Sequence, residues 1–150
     1  MSNLVSIATG IMIATFEGSG SAQWNTPTGN RPAAEANLAV WIFTPVKMAP
    51  QTVLRSSVGT TASHRIKGGT IGCDTDTYDD TPKLSVGATY AVFAVPEWDK
   101  SAASADPWIL WAWLVEPDGT LQTPLDGSVT IDQLSQAVTQ LPVATSGSSK

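Results

Sequence analysis

Trp108-Ile-Leu-Trp-Ala-Trp-Leu-Val115 decides the fold of this chain: eight apolar residues in a row that hold three of its six tryptophans. Side chains alternate along a strand, so Ile109, Trp111, Trp113 and Val115 would face one way and Trp108, Leu110, Ala112 and Leu114 the other. Both faces are apolar. Either the segment is a central strand covered on both sides, or one face is an aromatic platform open to a ligand.

Other segments carry the same two-residue period. Residues 4–16 alternate Val5, Ile7, Thr9, Ile11, Ile13 and Thr15, all β-branched, which reads as a first strand. Residues 37–48 place Leu38, Val40, Ile42, Thr44, Val46 and Met48 on one face, with Trp41 and Phe43 on the other. Pro45 within that run points to an edge or a bulge. A short strand at 52–54, a strand at 62–67 ending in Gly68-Gly69, and a strand at 86–95 follow. Pro117-Asp-Gly-Thr120 is a tight turn leading into a short pair around 121–130.

One helix is expected, over 130–141. Thr130 and Gln133 fit a capping box, and Ile131, Leu134, Val138 and Leu141 form one apolar stripe that Pro142 ends. This helix supplies a cover for the tryptophan strand and favours the covered reading.

The 150 residues suit one domain, placed at 1–142 with the helix included, and residues 143–150 read as a disordered tail. Charged residues make up only 14% of the chain, which suits a secreted or cell-envelope β protein. The start at Met1 lacks a basic n-region and an apolar h-region, so an exported protein is expected to begin after its leader. The net charge is −5, with eight scattered Lys and Arg. Nucleic-acid binding draws on clustered cations, so that class is disfavoured, and no apolar run is long enough for membrane insertion. A single cysteine, Cys73, excludes an internal disulfide.

The densest polar cluster is Cys73-Asp-Thr-Asp-Thr-Tyr-Asp-Asp80. Asp74, Asp76, Asp79 and Asp80 are oxygen donors of the kind calcium takes from one loop, and would make a weak calcium site. The loop lacks the glycine and glutamate of a helix-loop-helix calcium loop, and solvated Asp turns are the plainer alternative. Asp74-Thr-Asp-Thr77 resembles the nucleophile motif of haloacid-dehalogenase-like phosphotransferases, but that family needs a parallel sheet with alternating helices. His64 and Cys73 lack a third orienting group for nucleophilic catalysis. No glutamate pair is singled out for glycoside hydrolysis, and no Gly-x-Ser-x-Gly or phosphate loop occurs. Whether the chain is an enzyme stays open, leaning towards not. Flat indoles in or beside loops stack on sugars and anchor interfaces, which makes Trp24, Trp98 and Trp108 the candidate contact residues; core packing is the alternative.

A longer pattern joins Trp24-Asn-Thr-Pro, Val40-Trp-Ile-Phe-Thr-Pro-Val-Lys47, Arg65-Ile-Lys-Gly-Gly-Thr-Ile-Gly72, Pro82-Lys-Leu-Ser-Val-Gly87 and Tyr90-Ala-Val-Phe93. It resembles uncharacterised secreted bacterial domains with an OB-like barrel, similar in layout to netrin-like and metalloproteinase-inhibitor domains. The resemblance implies a fold over residues 5–115 and no transferable activity. The inhibitor family uses an amino-terminal cysteine, which this chain lacks.

The expected protein is therefore mainly β, a small antiparallel OB-like barrel or curved sandwich with one C-terminal α-helix. Its expected role is a non-enzymatic binding module for a carbohydrate, peptide or protein, with the groove on the barrel face between the loops. A structural surface domain with the calcium loop is the alternative. A hydrolase without a recognisable motif comes third, and no cofactor beyond weak calcium is expected.

Overall fold

The computed structural model describes residues 2–33, 41–56, 61–97, 104–123 and 128–141. The chain runs α1 (Ser2–Ile7), β1 (Gly10–Ser19), β2 (Gln23–Trp24), β3 (Ile42–Ser56), β4 (Ser63–Lys67), β5 (Gly69–Ile71) and β6 (Asp74–Asp76). It continues through β7 (Thr89–Val95), β8 (Trp108–Val115), β9 (Thr120–Gln122), β10 (Val129–Thr130) and α2 (Ile131–Gln140). The expected tail 143–150, residues 37–40 of the expected second strand and Trp98 lie outside the described residues.

Five strands close into a ring in the order β1-β3-β4-β8-β7 and back to β1. All neighbours are antiparallel except β4 and β8, which meet in parallel through one pair, Arg65 opposite Trp108. This is the expected OB-like barrel. Closure leaves the apolar residues of each strand two destinations. Met12, Ala14, Phe16, Val46, Met48, Tyr90, Val92 and Ile109 fill the barrel interior. On the outside of β1, β7 and β8, Ile11, Ile13, Ala91, Phe93 and Trp113 are covered by Val5, Leu134 and Val138 from the two helices and by Ala8 just after α1.

The tryptophan strand is thus packed on both faces, with Leu110, Trp111, Ala112, Leu114 and Val115 left half-buried, but its alternation is broken. Phe93 pairs with Trp111 and Ala94 with Ile109, so Leu110 is the extra residue of a bulge. The bulge turns Ile109 into the barrel while Trp111 and Trp113 stay under the helices.

The expected strand over 4–16 is corrected at its start: Leu4 to Ile7 belong to α1, and the strand begins at Gly10. Six residues make a helix too short to persist alone, so tertiary contacts hold it. Arg55, near the end of β3, donates to the carbonyls of Val5 in α1 and of Ala8 just after it, the latter at 3.1 Å. The same guanidinium donates to the carbonyls of Val138 in α2 and of its C-cap Leu141, the former at 3.2 Å. Two helix C-termini, where carbonyls are left over and the dipole is negative, therefore converge on one cation. Helix α2 forms as expected: Thr130 accepts from the Gln133 N–H at 3.2 Å, and the Gln133 side chain accepts from the Thr130 N–H at 2.9 Å.

The expected second strand and the short one at 52–54 merge into β3, fifteen residues long. Pro45 sits inside it and gives up only the one bond its nitrogen would donate. Its donorless side faces the end of β1, where its carbonyl accepts the Gly20 N–H at 2.8 Å. No helix among the described residues is long and apolar enough to cross a membrane.

Candidate functional site

The barrel face between the loops, expected as the groove, is filled by the protein itself. Arg65 and Trp108 leave that face of β4 and β8 and are 0% and 1% exposed. The Arg65 guanidinium stacks on Trp108 at 4.2 Å and on Phe43 at 5.1 Å from the ring centres. It donates to the Asp106 carbonyl at 2.9 Å, to Asn25 Oδ1 at 3.2 Å and to the Glu97 carboxylate. Glu97 also accepts the Trp108 indole N–H at 3.0 Å. Each donor and acceptor in this knot has a partner, which is the condition for burying a charge. Trp108 therefore offers no face to a ligand, a correction to its expected role. Trp24 is half-buried in β2, paired with Ile42 at the start of β3.

The acidic segment is also corrected: it is not a loop throughout. Gly69–Ile71 and Asp74–Asp76 pair as a hairpin, turning at Gly72, whose φ of +61° suits glycine. Asp74 pairs with Arg31 at 3.1 Å, and Asp76 accepts the backbone N–H of Ile42 at 2.7 Å. Asp79 and Asp80 are exposed on the segment that follows. The structure does not gather the four carboxylates, and no group of three His, Cys, Asp or Glu side chains suited to a metal occurs among the described residues. Cys73 is exposed at the hairpin turn, whereas His64 is fully buried in β4.

The hairpin creates a different site. Gly68 and Gly69 let it fold back on the start of β3: a Cβ on Gly69 would lie 2.7 Å from the Ala22 Cβ and 2.8 Å from Thr44 Oγ1. Between the hairpin, the end of β4 and the segment Tyr78–Lys83 lies an open cleft of about 330 Å³. Its floor is Thr44 and Ile66, so it is the mouth of the barrel. Barrel mouths are among the places where small ligands are commonly held.

The walls are polar and held from behind. Thr44 donates to the Gly68 carbonyl at 2.8 Å and Thr81 to the Lys67 carbonyl at 3.1 Å. The Lys67 ammonium lies 5.7 Å from the centre of the Tyr78 ring, which is 37% exposed. Burial raises the ionisation of the Tyr78 phenol above its usual range, and the negative charges of the neighbouring Asp76 and Asp80 add to the effect. Lys83 also lines the cleft. Among the described residues neither lysine is in an ion pair; the two pairs present are Arg31–Asp74 and Arg65–Glu97. Trp24 does not line the cleft.

Lys67, Tyr78 and Lys83 escaped the sequence reading. The usable signal was the double glycine Gly68-Gly69, four residues ahead of the alternating Asp74-Thr-Asp-Thr77, which marks a close backbone approach. Comparison with protein-family models, with curated proteins and with solved structures finds no match to this chain.

Proposed function

We propose that this protein is a non-enzymatic binding module that takes a saccharide in the mouth of its barrel. The observation that carries the reading is the cleft itself: about 330 Å³, open, floored by Thr44 and Ile66 and walled by an exposed tyrosine ring and two lysines. That volume lies in the small-ligand range of roughly 300–1,000 Å³. Sugar rings offer both hydroxyls for polar walls and an apolar face for an aromatic one, and Tyr78 takes the place that the tryptophans were expected to fill. The low charged fraction supports a secreted or cell-envelope setting, as does the resemblance to secreted OB-like bacterial domains. No observation favours calcium as a further part of the reading.

The test is a glycan array followed by calorimetric titration of the hits. Tyr78→Ala is expected to abolish binding and Trp24→Phe to leave it intact. Loss with Trp24→Phe and retention with Tyr78→Ala would return the contact surface to the tryptophans.

A further inference from the structure

We infer that the saccharide carries an acetamido group, whose methyl seats in a small slot beside the cleft; this rests on the reading of the barrel mouth as a saccharide site. β4 and β8 share only the pair Arg65 opposite Trp108. Past that pair β8 bulges at Leu110 and β4 ends at Lys67, so the two strands part. The gap is a partly enclosed cavity of about 20 Å³, bordered by Lys67, Thr81, Pro82, Trp108, Ile109 and Leu110. That is roughly the room one water or one methyl group occupies. Lys67, Thr81 and Pro82 border the cleft as well, so a sugar ring in the cleft has the slot as its neighbour across these three residues.

Charge does not select here. Lys67, Lys83 and Asp76 line the cleft together, and Asp79 and the slot's one carboxylate, Asp80, are exposed next to Tyr78. Selection therefore falls to shape and to hydrogen bonds. An acetamido group brings a methyl, one N–H and one carbonyl. Carbon from Pro82, Ile109 and Leu110 at the slot suits the methyl. Thr81 spends its proton on the Lys67 carbonyl at 3.1 Å, which leaves its hydroxyl oxygen to accept the amide N–H. The Lys67 ammonium, in no ion pair among the described residues, is a donor for the amide carbonyl. A sugar with a plain hydroxyl in place of the acetamido group leaves the slot empty.

Calorimetric titration with two trisaccharides of the same linkage, one of N-acetylglucosamine and one of glucose, tests this. The acetylated probe is expected to bind about ten-fold tighter, the lower end of what one fitted methyl-sized group contributes. Leu110→Phe enlarges a side chain on the border of the slot and should bring the two affinities together, while Lys47→Met, outside slot and cleft, should not. Saturation-transfer NMR on the wild-type chain requires no variant to fold: the acetyl methyl should take up more saturation than the ring protons. Equal affinities, a preference that a folded Leu110→Phe chain keeps, or a methyl less saturated than the ring overturns the inference and leaves the saccharide module standing. Binding of other saccharides alone does the same. No binding of any saccharide overturns both.

Discussion

Arg65 lies flat against Trp108, its guanidinium carbon 4.2 Å from the centre of the indole, and both side chains share the carboxylate of Glu97. These two residues are also the single pair that joins β4 to β8. Among the described residues, the one charged side chain buried at 0% exposure therefore sits on the closing seam of the barrel.

Removing one member of a buried ion pair strands the other charge, so Arg65→Met should cost about 3–5 kcal/mol of stability. Adding Glu97→Gln to the same chain should restore more than half of the loss, since no charge is then left without its partner. Urea denaturation of wild type, single and double variants measures this. A double variant as unstable as the single one would mean that packing on Trp108, not the charge pair, carries the effect.

Arg55 joins α1 and α2 to β3 through four carbonyls. Charge-assisted hydrogen bonds contribute roughly 1.5–3 kcal/mol each at best, and they share one guanidinium here. Arg55→Ala should lower stability by about 2–3 kcal/mol and speed hydrogen exchange in α2 before the barrel strands respond. Arg55→Lys should recover only part, because an ammonium lacks the fork that reaches both helix ends.

Gly69→Ala and Gly72→Ala test the hairpin separately. At Gly69 the new methyl meets Ala22 and Thr44 within 2.8 Å, whereas at Gly72 nothing lies within 4 Å and only the φ of +61° is at issue. Overpacking costs about 1–3 kcal/mol, and the left-handed strain about 1–2 kcal/mol. Both variants should be less stable, but only Gly69→Ala should shift the hairpin and weaken ligand binding in the cleft. Thermal melts and titration distinguish the two.

The Tyr78 phenol ionises above its usual value of 10.0, through burial and the negative charge of Asp76 and Asp80. Its folded value is raised over the unfolded one, so the folded state holds the proton longer. The resulting stability is full below pH 10, the unfolded value, and is lost as pH rises through the folded value. Absorbance titration near 295 nm, taken as the difference between wild type and Tyr78→Phe, should show a midpoint above 10.0. A midpoint at or below the ordinary phenol value would remove Asp76 from its place beside the ring.

The barrel was legible in the sequence because its strands are apolar on one or both faces, and α2 because capping and a stripe coincide in ten residues. What escaped is held by distant partners. Residues 4–7 alternate like a strand and become helical only because Arg55 and α2 hold them. The hairpin has no apolar alternation to show; its two strands are Gly-Thr-Ile and Asp-Thr-Asp, fixed by the space at Gly69. Arg65 reads as a surface charge in a short strand, and nothing local shows that Asn25, Glu97 and Asp106 close over it. Leu110 is one apolar residue among eight, so its bulge, and with it the inward turn of Ile109, left no mark in the pattern.

The seam at Arg65 and Trp108 also sets the order in which the molecule can be completed during synthesis. A chain leaving the ribosome presents β1, β3 and β4 well before β7 and β8. Until then any sheet of those three strands would carry unpaired backbone groups along both borders and leave Met12, Phe16 and Val46 uncovered. Neither border is sealed before the second half of the protein arrives. Pairings between such distant segments form slowly, so closure at this seam is expected to come late in folding.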